Sequence, residues 1–105
     1  MEFTITNQAA ALYKKEILLQ KGESLRLYVR VGGVGSGGFS VGVMKDQPTP
    51  TSFKVEREGI VFFITEDDFW YFDGMTIDYE EDLGYFDFSN PKFDQLDHPE
   101  PKNQL

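Results

Sequence analysis

The chain has 105 residues, 40% of them apolar and 15% aromatic, and a formal net charge of −8. That length supports one domain with a modest core. It contains no cysteine, which excludes disulfides, thiolate metal sites and cysteine nucleophiles at once and leaves the redox compartment undetermined. No apolar run reaches the length of a membrane span, and the amino terminus shows no basic region followed by an apolar stretch, so a cytoplasmic location is expected.

Charge is unevenly placed. Residues 1–57 hold eight Lys/Arg and five Asp/Glu, whereas residues 58–105 hold two and thirteen, with no basic residue between Arg57 and Lys92. Phosphate-bearing partners would be repelled, so neither nucleic acid nor an anionic membrane is expected as a partner. Cations or a basic protein surface are compatible with this balance, and so is plain solubility.

In chain order, Glu2 to Thr6 alternates and predicts a short first strand. Thr6 or Asn7 can cap the helix that follows, since either side-chain oxygen can accept from a first-turn amide. Ala9 to Gln20 carries the helical pattern, with Ala10, Tyr13 and Ile17 on one face and Lys21-Gly22 as the stop. Lys14, Lys15 and Lys21 suit the helix C-terminal dipole. Leu25, Leu27, Val29 and Val31 then point one way along a strand, and Phe39, Val41 and Val43 do so along another. Between them, Gly32 to Gly38 has five glycines in seven residues.

That loop contains a formal G-x-G-x-x-G at Gly33, Gly35 and Gly38. A dinucleotide fingerprint needs a helix immediately afterwards, and Phe39–Val43 has a strand pattern instead. No Gly-Lys-Ser/Thr is present, so there is no P-loop. A flexible hairpin turn and a backbone cradle for a ligand are the two readings left.

Pro48 and Pro50 make residues 45–52 a loop. Ser52–Glu56 predicts a strand, Glu58-Gly59 a turn, and Ile60–Ile64 a strand buried on both faces. Thr65 reads as the cap of a short helix through Phe69–Phe72, with Asp68 at the capping-box position and Asp73-Gly74 as the stop. Met75–Tyr79 and Tyr85–Phe88 predict two further strands around the acidic turn Glu80–Gly84. Asn90-Pro91 marks a boundary. Residues 1–93 are expected to form one domain and residues 94–105 a mobile tail. The fold class is α+β, mostly β, with a mixed or antiparallel sheet, an N-terminal helix and one short second helix.

Ile5-Thr6-Asn7-Gln8-Ala9-Ala10, Leu25-Arg26-Leu27 and Ser36-Gly37-Gly38 lead into a second half containing Gly59-Ile60, Tyr71-Phe72-Asp73-Gly74, Ile77-Asp78-Tyr79 and Phe86-Asp87-Phe88-Ser89-Asn90-Pro91. This order resembles the HesB-like, A-type iron–sulfur cluster carrier family over nearly the whole chain. The resemblance implies a compact, mostly β fold, often dimeric or tetrameric. It also implies binding of iron or an iron–sulfur cluster for delivery to client proteins, through one cysteine after the glycine loop and a Cys-Gly-Cys pair in the tail. The matching positions here are Gly38, Asp97 and Pro99. All three thiolates are therefore missing, and thiolates are what hold such clusters. No cofactor is expected, and iron or a cluster enters only through the resemblance.

Asp97, His98 and Glu100 offer oxygen and imidazole ligands suited to Fe(II), Mn or Zn. A proline-kinked tail pre-organises no metal geometry, so a chance histidine is the plainer reading. Glu80, Glu81 and Asp82 lack the alternating spacing of a calcium loop. Glu66, Asp67 and Asp68 are paired acids beside rings, more simply read as dipole-matched helix caps than as a general acid and base. With His98 the only histidine, no Ser-His-acid set exists, and the chain is not expected to be an enzyme. Twelve of the sixteen rings lie between Phe53 and Phe93, and four in a row at Phe69–Phe72 cannot all turn inward from a short helix. The sequence thus points to an accessory or binding module of the HesB-like family, engaging protein partners or its own copies. The alternatives are an oligomeric interaction module without an iron role and a weak non-thiolate metal binder.

Overall fold

Two mixed sheets enclose one apolar cluster. The computed structural model describes residues 1–32 and 38–92. In order these form β1 (Phe3–Ile5), α1 (Asn7–Glu16), β2 (Ser24–Val31), β3 (Phe39–Lys45), β4 (Phe53–Arg57), β5 (Ile60–Ile64), a 3-10 turn (Glu66–Asp68), α2 (Phe69–Phe72), β6 (Met75–Glu80) and β7 (Tyr85–Ser89). The four-stranded sheet runs β3-β2-β5-β4 and the three-stranded sheet β1-β6-β7. Each combines one parallel pair, β2 with β5 and β1 with β6, with antiparallel neighbours. The strand periods foresaw the elements, and their division into two sheets comes from the folded chain.

Alternation explains the core. Leu25 and Leu27 of β2, Ile60, Phe62 and Ile64 of β5, and Met75 and Ile77 of β6 turn to the same interior as Ile5 of β1. Phe63, on the opposite face of β5, is also only 1% exposed, so β5 is buried on both sides as its unbroken apolar run requires. Each such phenylalanine contributes roughly 1.5–3 kcal/mol by leaving water. Tyr13 of α1 ties the sheets together, stacking on Phe86 at 4.5 Å and meeting Phe62 at 6.2 Å. Burial raises its hydroxyl pKa well above the ordinary phenol range.

Some local expectations are corrected. Of the two expected cap candidates Thr6 takes the role, its Oγ1 accepting from Ala9 N at 3.2 Å. The helix stops at Glu16 instead of reaching Gln20. Leu18 takes φ +59°, and the Leu19 amide returns to the Lys14 carbonyl at 2.9 Å, closing a Schellman turn. This reversal buries Leu19 and leaves Leu18 78% exposed. Val31, expected on the inner face with Leu25 and Leu27, is 87% exposed because the far end of the β2–β3 hairpin extends past the core. Glu58 and Gly59 both take positive φ, 55° and 77°, as a two-residue hairpin turn demands. Among the described residues, no helix is long and apolar enough to cross a membrane.

Candidate functional site

The β2–β3 hairpin places Gly38 at the mouth of its loop. The Gly32 amide donates to the Gly38 carbonyl at 2.7 Å, and Ser40 Oγ donates to the Gly32 carbonyl at 3.2 Å, closing the loop base. Gly33 and Gly35 lie outside the described residues. β3 follows Gly38 directly, so the glycine pattern leads into a strand and supplies no helix N-terminus.

Gly38 has φ +85°, and nothing lies within 4 Å of where its Cβ would be. The position is roomy, but its backbone favours glycine, so a cysteine there would be strained without being crowded. The conformation therefore disfavours the ligand that the resemblance would require at this position.

α2 lies between the hairpin and the segment leaving β7. Tyr71 joins the two: its hydroxyl donates to the Phe39 carbonyl at 3.3 Å, and its own carbonyl accepts from Asn90 Nδ2 at 3.3 Å. Asn90, 3% exposed, also donates to the Asp73 carbonyl at 3.0 Å and accepts from the Lys92 amide at 3.1 Å. Lys92 Nζ reaches the Trp70 carbonyl at 2.7 Å. Phe39 meets Trp70 edge-on at 5.2 Å. The aromatic run thus divides: Tyr71 and Phe72 are buried, Phe69 packs on the core, and Trp70 is 47% exposed. The sequence indicated that the four rings could not all turn inward. Which one turns outward, and the joining roles of Tyr71 and Asn90, were not foreseen. Asn90 carried a signal nonetheless, because a carboxamide before Pro91 offers two N–H donors and an acceptor oxygen.

Of the acidic candidates, Asp68 serves the fold. Thr65 makes no side-chain cap, and Asp68 does not close a capping box. Asp68 instead accepts from the Val29 amide at 3.4 Å and faces Arg26 at 3.7 Å. β5 pairs with β2 only as far as Arg26, which leaves the Val29 amide open to this carboxylate. Arg26 also reaches Thr65 Oγ1 at 3.4 Å and lies over the Tyr28 ring at 5.7 Å. Glu66 and Asp67 are exposed, as are Glu80, Glu81 and Asp82 around the β6–β7 turn. Among the described residues, no three His, Cys, Asp or Glu side chains converge to hold a metal. Asp97, His98, Pro99 and Glu100 lie outside the described residues.

The described corner can join two segments and present an aromatic surface. With no cysteine anywhere in the chain, the residues do not fit an iron–sulfur cluster.

Residues 1–95 match the family model described as iron–sulphur cluster biosynthesis. Among curated proteins, the chain is 43% identical over 86 residues to the pyruvate dehydrogenase inhibitor of Bacillus subtilis, covering 78% of this chain and 90% of that one. It is 36% identical over 87 residues to the iron–sulfur cluster insertion protein ErpA of Alcanivorax borkumensis, covering 79% and 73%. Among solved structures, Escherichia coli SufA, involved in biosynthesis of iron–sulfur clusters, superposes with a TM-score of 0.63 at 25% identity over 88% of each chain. IscA with its 2Fe–2S cluster shares the fold, with a TM-score of 0.64 at 23% identity over 86% of each chain.

Proposed function

The chain belongs to the iron–sulphur cluster biosynthesis family, and from that premise we propose that it is a member working by protein binding without a cluster of its own. The observation that carries this reading is the lack of cysteine on a chain with the family's fold; the resemblance assigns the first ligand position to Gly38, which is held at φ +85°. The residues that fold the domain and the residues that would bind a cluster are different sets, so one can be lost while the other is kept. What remains is a scaffold able to present surfaces to other proteins or to a second copy.

The name of the Bacillus subtilis relative supplies the first partner to test. At 43% identity over 90% of that protein, it supports a role for this chain as a regulatory partner of pyruvate dehydrogenase. No residue of the chain is assigned a catalytic role. The proposed compartment is the cytoplasm, which cell fractionation tests directly.

The experiment is anaerobic reconstitution with ferrous iron and sulfide, followed by desalting, metal analysis and a visible absorption spectrum. The expected result is no retained cluster and substoichiometric iron. A stoichiometric cluster surviving desalting would overturn the proposal. Iron retained without sulfide would favour the non-thiolate metal reading, and alanine at Asp97, His98 and Glu100 would then abolish it. Titration of the protein into a pyruvate dehydrogenase assay is expected to lower the rate in a saturable way, whereas an unchanged rate would remove that enzyme as the partner.

A further inference from the structure

We propose that the outer edge of β7 is a docking site for an extended protein segment that alternates basic and apolar residues and adds to the three-stranded sheet as a fourth strand. This inference rests on the reading of the chain as a protein-binding module and assigns the surface and the partner's chemistry.

Among the described residues, β7 pairs only with β6 and forms one edge of the sheet. An antiparallel neighbour satisfies one side of a strand, so β7 has N–H and C=O groups turned away from β6. The other edges are short or guarded. β1 has three residues, β4 carries exposed Lys54 and Arg57, and β3 ends at exposed Lys45. Lysines of this kind are a common defence against edge pairing. Tyr85–Ser89 contains neither lysine nor proline, and it presents Tyr85 and Phe88 at 52% and 38% exposure.

Charge selects the occupant. Asp87 lies directly opposite Asp78 in the β6–β7 register, two carboxylates on one face of an antiparallel pair. Glu80, Glu81 and Asp82 follow at the adjoining turn. A second copy docking through the same edge about a two-fold axis centred on Asp87 would set that carboxylate against its twin, with Asp78 behind each. Asp78 Oδ1 accepts from Thr6 Oγ1 at 2.6 Å and from the Tyr79 amide at 2.8 Å, so Asp87, which is exposed, is the carboxylate open to a basic side chain on an added strand. The opposite face of β7 carries Phe86 and Phe88, stacked at 5.8 Å. Because side chains on an added strand alternate between faces, the matching segment has Lys or Arg beside Asp87 and apolar residues beside the two phenylalanines. The overall charge of −8 would steer such a segment toward the protein.

The test uses the full chain and three end-blocked peptides matched in length to β7. One alternates lysine with valine, one is its form methylated at every second backbone nitrogen on the pairing side, and one alternates glutamate with valine. Binding is followed by amide resonances and by anisotropy of a labelled peptide. The lysine–valine peptide is expected to bind saturably at low salt, to weaken as salt rises, and to shift the Tyr85–Ser89 amides. The methylated and acidic peptides are expected to bind at least about tenfold more weakly. Asp87→Lys should produce a similar loss while keeping the native far-UV circular dichroism, because Asp87 is exposed on the edge strand. Equal binding of the methylated peptide would mean charge attraction without strand addition and would overturn the proposal. So would shifts confined to other strands, no binding, or β7 shifts that follow protein concentration alone and indicate a second copy. If these results fail while inhibition of pyruvate dehydrogenase persists, the surface is wrong and the binding-module reading stands. A retained iron–sulfur cluster would instead remove that reading.

Discussion

Replacing Asn90 tests the corner that joins α2 to the segment leaving β7. Asn90→Ala removes two donated hydrogen bonds, to the Tyr71 and Asp73 carbonyls, and one accepted from the Lys92 amide. Tyr71 is 2% exposed, so its carbonyl is left without ready access to water, whereas Asp73 and Lys92 lie at exposed residues that water can reach. Losing the bond to the buried carbonyl costs about 1–3 kcal/mol, and losing the more accessible bonds adds roughly another 1 kcal/mol. The expected total is about 2–4 kcal/mol, equivalent to a melting temperature lower by roughly 10–20 °C in a domain of this size.

Asn90→Asp should be worse at neutral pH, since a carboxylate would face two carbonyl oxygens. Its charged form is disfavoured in the fold, which raises its folded pKa above the unfolded value. The penalty is therefore full above the folded pKa and fades as pH falls through it, so the gap between the two variants should close in acid. Urea unfolding followed by the single tryptophan, Trp70, reports on this corner directly. If both variants unfold within about 0.5 kcal/mol of the native chain, the assigned role of Asn90 is wrong.

Three other outcomes follow from backbone and burial. Leu18→Gly should stabilise the protein by about 0.5–1 kcal/mol in urea titrations, because Leu18 holds φ +59° at 78% exposure and gives up little packing. Tyr13 is protonated in the fold at pH values where the unfolded chain has lost that proton. Its contribution is present below about pH 10 and is lost as pH rises further, by up to about 1.4 kcal/mol per unit. Tyr13→Phe keeps the ring beside Phe86 and should flatten the alkaline fall in stability measured between about pH 8 and pH 11. Gly38→Cys should lower stability by about 1 kcal/mol through its φ of +85° and should gain no cluster on reconstitution, since two further thiolates are still missing. A retained cluster in that variant would show that the backbone adapts.

The sequence by itself determined the elements and the limits on the chemistry. Period-two runs marked β2, β3, β4, β6 and β7, the unbroken run Ile60–Ile64 marked a doubly covered strand, and Glu58-Gly59 marked its hairpin. These signals are local: alternation, φ preference and capping act over a few residues. The absence of thiolate chemistry was equally plain, because it depends on residue type alone.

Tertiary structure decided what depends on distant partners. Asp68 looked like a capping residue, yet the Val29 amide, thirty-nine positions away, claims its carboxylate. Asn90 looked like a boundary, yet it closes on Tyr71, nineteen positions back. α1 ended early because burying Leu19 required Leu18 to turn outward. The pairing of β1 with β6 and of β2 with β5 likewise places strands far apart in sequence side by side. Each of these outcomes balances a weak local preference against burial and long-range hydrogen bonding. The second term exists only once the chain has folded.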